Sequence, residues 1–197
     1  MDISLYGIAI AAFLLFMWVW NSLNVLKEWE RGVVLRLGRM QPIAKGPGLC
    51  LVFYPIETLT RVSLRIETLD VPSQDIITRD NVSVKVNAVA YFAVIDANLA
   101  VSRVQNYMYA TSQKAQTTLR SIVGQFELDE ILAEREKVNA KLQTILDQDT
   151  EPWGIKVTKV EVKQVDIPEQ MQRAIGRQAE AERERRAKVI HAEGEFQ

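Results

Sequence analysis

The sequence predicts an α+β protein, on three observations. Strand-like alternation of apolar and polar residues dominates before residue 96 and returns at 155–165. Helical periodicity fills the interval between. The two ends differ from both: an uncharged apolar run covers 3–26, and a charge-dense stretch of helix formers runs from 168 to 197. The expected organisation is a membrane anchor at 1–26, a β-rich part near the bilayer at 27–73, an α/β part at 74–167, and the start of a long charged helix at 168–197.

The first element is "ISLYGIAIAAFLLFMWVWNSLNVL" at 3–26. As a helix it would reach ~36 Å, enough for a ~30 Å hydrocarbon core. Leu14 and Phe16 lie within it, and Trp18 and Trp20 lie toward its C-terminal end, where indole rings favour the membrane interface. Lys27, Arg31, Arg36 and Arg39 follow, which by the positive-inside rule puts the bulk of the chain on the cytoplasmic side of the cell membrane. The segment lacks the basic start and small-residue cleavage site of a signal peptide. A hairpin that enters and leaves one face stays open beside a single pass, with Asn21, Ser22 and Asn24 marking the interface.

Val33, Val34, Leu35 and Leu37 then form a short strand ending at Gly38, and "KGPG" at 45–48 is a turn. Residues 61–67 alternate strictly, with Val62, Leu64 and Ile66 on one face, until Pro72 interrupts. Asp80-Asn81 is a turn between two strand-like runs. The second run alternates from Val82 to Val94, with Val84, Val86, Ala88, Ala90 and Phe92 on the buried face. Asp96 can cap a helix over "ANLAVSRVQNY"; further helices are expected at about 108–123 and 128–149. The strand at 155–165 changes its apolar phase near Lys159, which suggests a bulge. Pro168 and Glu169 suit the first turn of the last helix, which pairs Glu182 with Arg186 and Glu184 with Lys188. Its few, small apolar residues require packed neighbours or a coiled coil.

Composition excludes several function classes. Net charge is −1, so no global basic field argues for nucleic acid. One cysteine, Cys50, allows no disulfide framework, and one histidine, His191, argues against a histidine metal site or a catalytic triad within one chain. Asp75, Asp80 and Asp96 lack the spacing of a calcium loop, and Gly38, Gly46 and Gly48 do not build a phosphate loop. No cofactor, metal or catalytic residue is expected.

The stretches "ERGVVLRLGR", "KGPGL", "ITRDNVSVKVNAVAYF", "AQTTLRSIVG", "LDEILAERE", "WGIKVTKVEVKQVDIPEQMQRAI" and "RQAEAERERRAKVIHAEGE" occur in that order. Together they resemble the stomatin (slipin) branch of the stomatin/prohibitin/flotillin superfamily, whose shared unit is the SPFH or band-7 domain. Ala93 departs from the basic residue common there, and members of the family run past "HAEGE" into a longer coiled coil, so the end at Gln197 reads as a truncation. The resemblance implies a membrane-anchored, non-enzymatic scaffold. Such a scaffold would form large homo-oligomeric rings or cages, organise a membrane microdomain, and hold or regulate channels and membrane proteases. Prokaryotic members often have a partner of the NfeD type. A monomeric membrane-tethered adaptor, and a membrane-associated hydrolase using Cys50, are the alternatives.

The candidate site residues follow. Leu49, Leu51, Val52, Phe53 and Tyr54 read equally as a membrane-dipping loop, as the family suggests, or as a core strand. Cys50 is a candidate for acylation, against the commoner fate of a buried thiol. Glu182, Arg183, Arg185 and Arg186 are candidates for setting register between neighbouring helices; the glutamates cancel any nucleic-acid stripe.

Overall fold

A computed structural model of the protein describes residues 13, 16–18, 20–168, 171–173, 176–177, 181 and 183–189. Its strands are β1 (Leu23–Leu26), β2 (Glu30–Arg36), β3 (Arg39–Met40), β4 (Gly48–Leu51), β5 (Glu57–Ser63), β6 (Glu67–Ile77), β7 (Ser83–Val94) and β8 (Ile155–Asp166). Between β7 and β8 come α1 (Ala97–Ser102), α2 (Tyr107–Val123), α3 (Leu128–Ala133), α4 (Arg135–Thr150) and a 3-10 turn, Glu151–Trp153. All pairing is antiparallel, in the orders β1-β4, β3-β2-β5 and β6-β7-β8.

The main core lies on one face of β6-β7-β8. Val84, Val86, Ala88, Ala90, Phe92 and Val94 of the central strand are buried there, as the alternation predicts. Ala115, Leu119, Ile122 and Val123 of α2 and Val138, Leu142 and Leu146 of α4 cover them. Val89, on the opposite face, is also buried, between Asp70 of β6 and Glu161 of β8. Ion pairs Lys163–Asp70 and Lys159–Glu161 lie over that face. The phase change in β8 is a real bulge: register shifts once opposite Tyr91/Phe92 and again opposite Asn87/Ala88. Two amides on this strand, Val157 and Val162, are satisfied by Asp147 and Asn139 of α4, at 2.9 and 3.0 Å. Helix side chains thus cover what would be an open sheet edge.

Local signals place the helices. Asp96 caps α1 through Asn98 and Leu99 N–H groups, and Asn106 caps α2 through Tyr109 N–H. Gly154 joins α4 to β8 at φ 71°, and an added Cβ there would sit 2.6 Å from the Asp96 carbonyl. Glycine is therefore required by both conformation and space.

Several sequence expectations are corrected. The N-terminal helix does not continue to residue 26: Asn21 and Ser22 are helical, but Leu23–Leu26 leave the helix to pair with Gly48–Leu51. The alternation at 61–67 spans two strands, so Val62 is buried on β5 while Ile66, between β5 and β6, is exposed. The helix expected over 128–149 is broken at Glu134, whose φ −113° and ψ 47° are not helical. Leu37 is not a strand residue but a turn residue, at φ 48°.

Pro72 does not end its strand. It sits at a bulge, between Val71 and Gln74, where its missing N–H removes no ladder bond. Strand β6 therefore runs through residues 73 and 74, and one buried cluster contains Val33 and Val62 together with the α/β core.

Candidate membrane interface

Ser22 ends the N-terminal helix by donating its hydroxyl to the Trp18 carbonyl at 2.9 Å, and the Ser22 carbonyl accepts from Val52 N–H. The chain then enters β1, whose ribbon with β4 has two unlike faces. Leu26 and Cys50 point inward and pack with Val52 and Leu59. Leu23 opposite Leu51, and Val25 opposite Leu49, point outward and are exposed. The inner face rests on β2-β5 because Gly32 has no side chain: a Cβ there would lie 2.7 Å from Leu59 Cδ1 and 2.8 Å from Leu26 Cδ1.

The loop after β4 continues the apolar surface. Trp18 donates its indole N–H to the Tyr54 carbonyl at 2.7 Å, and its ring lies 6.0 Å from that of Phe53. Phe53, Tyr54 and Ile56 are all exposed. Exposure reaches 69% at Trp20 and 70% at Leu49. The structure thus brings the predicted anchor residue Trp18 against the predicted loop residues Phe53 and Tyr54, while the Trp20 ring lies against Phe16, at 5.9 Å. Covering about half of roughly ten such side chains would be worth on the order of 10 kcal/mol before the cost of association, at ~1.5–3 kcal/mol per fully buried side chain. Soluble proteins rarely leave so large a continuous apolar patch in water.

Glu57 holds this loop in place. Its carboxylate is buried and accepts from Arg36 Nε at 2.7 Å and from Phe53 N–H at 3.2 Å. Its own N–H donates to the Phe53 carbonyl at 2.8 Å, closing the loop on both sides. The Arg36 guanidinium, and next the Phe53 amide, hold the carboxyl below the ordinary carboxylate range despite burial. A depressed pKa stabilises the fold above the unfolded value and loses that contribution as pH falls through the folded value. Glu57→Gln is therefore expected to cost about 1–3 kcal/mol at neutral pH. The gap from wild type should begin to narrow as pH falls below the ordinary carboxylate range and close only once pH has passed the lower folded value. Urea titrations at pH 7 and at acidic pH, in mild detergent, check this; an equal gap at both would contradict it.

The other candidates are placed as follows. Val52 is buried, so it belongs to the inner cluster and not to the exposed surface. Cys50 is 4% exposed on the inner face of β4, where a thiol packs as a small hydrophobe. Arg183, Arg185 and Arg186 are exposed on the terminal helix, and Lys188 pairs with Glu184 at 2.9 Å. Leu14, Glu182 and His191 lie outside the described residues. Among the described residues, no helix is long and apolar enough to cross a membrane, and no group of three or more His, Cys, Asp or Glu is placed to hold a metal ion.

Sequence reasoning missed three contributors: the outward pair Leu23 and Val25, the Ile56 side chain, and the Arg36–Glu57 clamp. The first could have been found in the period-two pattern of "LNVL", with Asn24 between two apolar residues. The clamp carried no local signal, because its partners are 21 residues apart.

The SPFH domain / Band 7 family model matches residues 24–196. A stomatin homolog of Pyrococcus horikoshii is 55% identical over 177 residues, covering 90% of this chain and 66% of that protein. An uncharacterised protein of Archaeoglobus fulgidus is 58% identical, covering 90% of this chain and 71% of the other. Human stomatin-like protein 3 is 49% identical, covering 90% and 62%. The chain therefore spans about two thirds of the length of these relatives.

Proposed function

Because the chain belongs to the SPFH domain / Band 7 family, as a stomatin-type member, we propose that it is a membrane-associated scaffold that assembles with copies of itself. The exposed apolar surface formed by Trp18, Trp20, the outer face of β1-β4 and the 53–56 loop carries this reading. In it, the N-terminal segment enters the cell membrane and the surface seats the folded part against the same leaflet, with the bulk of the chain cytoplasmic. Residues 168–197 begin a coiled-coil wall between subunits, with Glu182, Arg183, Arg185 and Arg186 setting register. Many weakly held copies joined in one assembly bind the bilayer multivalently and confine a microdomain of lipid. Within that boundary the scaffold holds other membrane proteins, such as channels, proteases or an NfeD-type partner.

No chemical step is assigned in this reading. The cysteine-hydrolase alternative rests on Cys50, whose sulfur is buried behind β4. The monomeric adaptor is separated by particle mass. The full chain in mild detergent should form discrete particles of many subunits, and substituting Arg183, Arg185 and Arg186 together by glutamate should dissociate them. A monodisperse monomer that still binds membrane would favour the adaptor.

A further inference from the structure

The β2–β3 connection is a two-residue turn. Arg36 pairs with Arg39, and Leu37 and Gly38 between them have φ 48° and 77°. Hairpin turns with two positive φ values favour Asn-Gly or Gly-Gly, because a Cβ is strained there. Leucine is an unfavourable choice on local grounds, and it is 79% exposed. The turn adjoins the apolar surface: Leu37 N–H donates to the Ile56 carbonyl at 2.9 Å.

Its charge is also unbalanced. Arg36 and Arg39 stand directly opposite each other, an unfavourable like-charge pair. Glu57 neutralises Arg36 alone. Residues 20–65 hold seven Lys/Arg (27, 31, 36, 39, 45, 61, 65) and three Glu (28, 30, 57), a net +4 in a chain of net −1. The excess positive charge therefore lies in the part of the chain that carries the apolar surface.

We propose that this hairpin is a binding point for anionic phospholipid. Leu37 enters the acyl boundary beside Tyr54 and Ile56, and Arg39 takes the headgroup phosphate as the counter-ion the pair of arginines lacks. The inference rests on the membrane-associated reading above and adds to it a lipid preference and a residue that reads it.

The test uses the full chain with Cys50→Ala and Leu37→Cys, carrying an apolar, environment-sensitive fluorophore at position 37. It is reconstituted with brominated phosphatidylcholine vesicles, with and without about one third phosphatidylglycerol. The probe should be quenched mainly in the anionic vesicles, and Arg39→Gln should reduce its inserted fraction about fivefold. Native tryptophan emission, to which Trp18 and Trp20 contribute as two of four tryptophans, reports on the apolar surface in the same samples. Quenched tryptophans with a water-exposed probe would overturn the hairpin inference and leave the membrane reading standing. If neither is quenched, both fall. A probe quenched equally in both lipids, and indifferent to Arg39→Gln, would overturn the headgroup preference.

Discussion

Replacing Leu49 and Leu51 together by aspartate should leave the fold intact and abolish the hold of the folded part on lipid. Both side chains point outward from β4, opposite Val25 and Leu23, so neither takes part in the inner cluster of Leu26, Cys50 and Val52. The ladder of backbone hydrogen bonds to β1 is unaffected, and exposed substitutions of this kind usually change stability by less than about 1 kcal/mol. The membrane term is much larger. A leucine-to-aspartate change in the apolar region costs roughly 3 kcal/mol at the bilayer centre and less toward the interface. Two of them should weaken binding at least about 100-fold. The measurement is vesicle flotation of a chain starting at Leu23, which retains every strand and keeps the N-terminal apolar run from masking the effect. Wild type should float and the double variant remain in the soluble fraction, with the two melting alike. A variant that floats as well as wild type would remove the 49–54 strand from the interface.

The second large effect lies in the core. Phe92 is fully buried near the C-terminal end of β7, the central strand of its sheet, and meets the Tyr107 ring edge-on at a centroid distance of 6.5 Å. Phe92→Ala removes a whole ring from a site walled by β6, β8 and the start of α2, where backbone on several sides limits collapse. The expected loss is about 3–5 kcal/mol. That is a large share of a typical stability of about 5–15 kcal/mol, and it should lower the melting temperature by roughly 10 °C or more. Thermal and urea unfolding in mild detergent measure it. A loss below about 1 kcal/mol would mean that this sheet is not the main source of stability.

The parts of the fold that could be read in advance are those whose partners do not matter to the pattern. The buried face of β7 shows in the sequence because alternation is imposed by the strand itself, whichever strands lie beside it. Asp96 as a cap, the Asp80-Asn81 turn and the β8 bulge were legible for the same local reason. The end of the N-terminal helix was not. Asn21 to Leu26 is uncharged like the run before it, and the only local hint of a strand is the short alternation of Leu23, Asn24 and Val25; pairing with Gly48–Leu51, more than twenty residues away, is what ends the helix there. Hydropathy also gave Val52 and Leu51 the same weight, although one is buried and the other faces out. The break at Glu134 falls among good helix formers, so it has no sequence signal; Ile131 and Val138 on either side are both buried, and their packing is compatible with the break. Leu37 was misplaced because an apolar residue before a glycine reads as the end of a strand unless the turn's two positive φ values are known.

The central claim is that one continuous surface, from Trp18 through the outer face of β1-β4 to Ile56, lies against lipid. Amide hydrogen exchange on the full chain, in detergent-free vesicles and after transfer to a short-chain detergent that leaves β6-β7-β8 folded, tests it most directly. An isolated two-stranded ribbon is marginal in water, so cover by a bilayer should slow its exchange strongly. The account predicts slow exchange at Leu23–Leu26 and at 48–56 in vesicles, faster exchange there in detergent, and no change across α4 and β8. Exchange at 48–56 that is equally fast in both, with the rest of the chain unchanged, would contradict it.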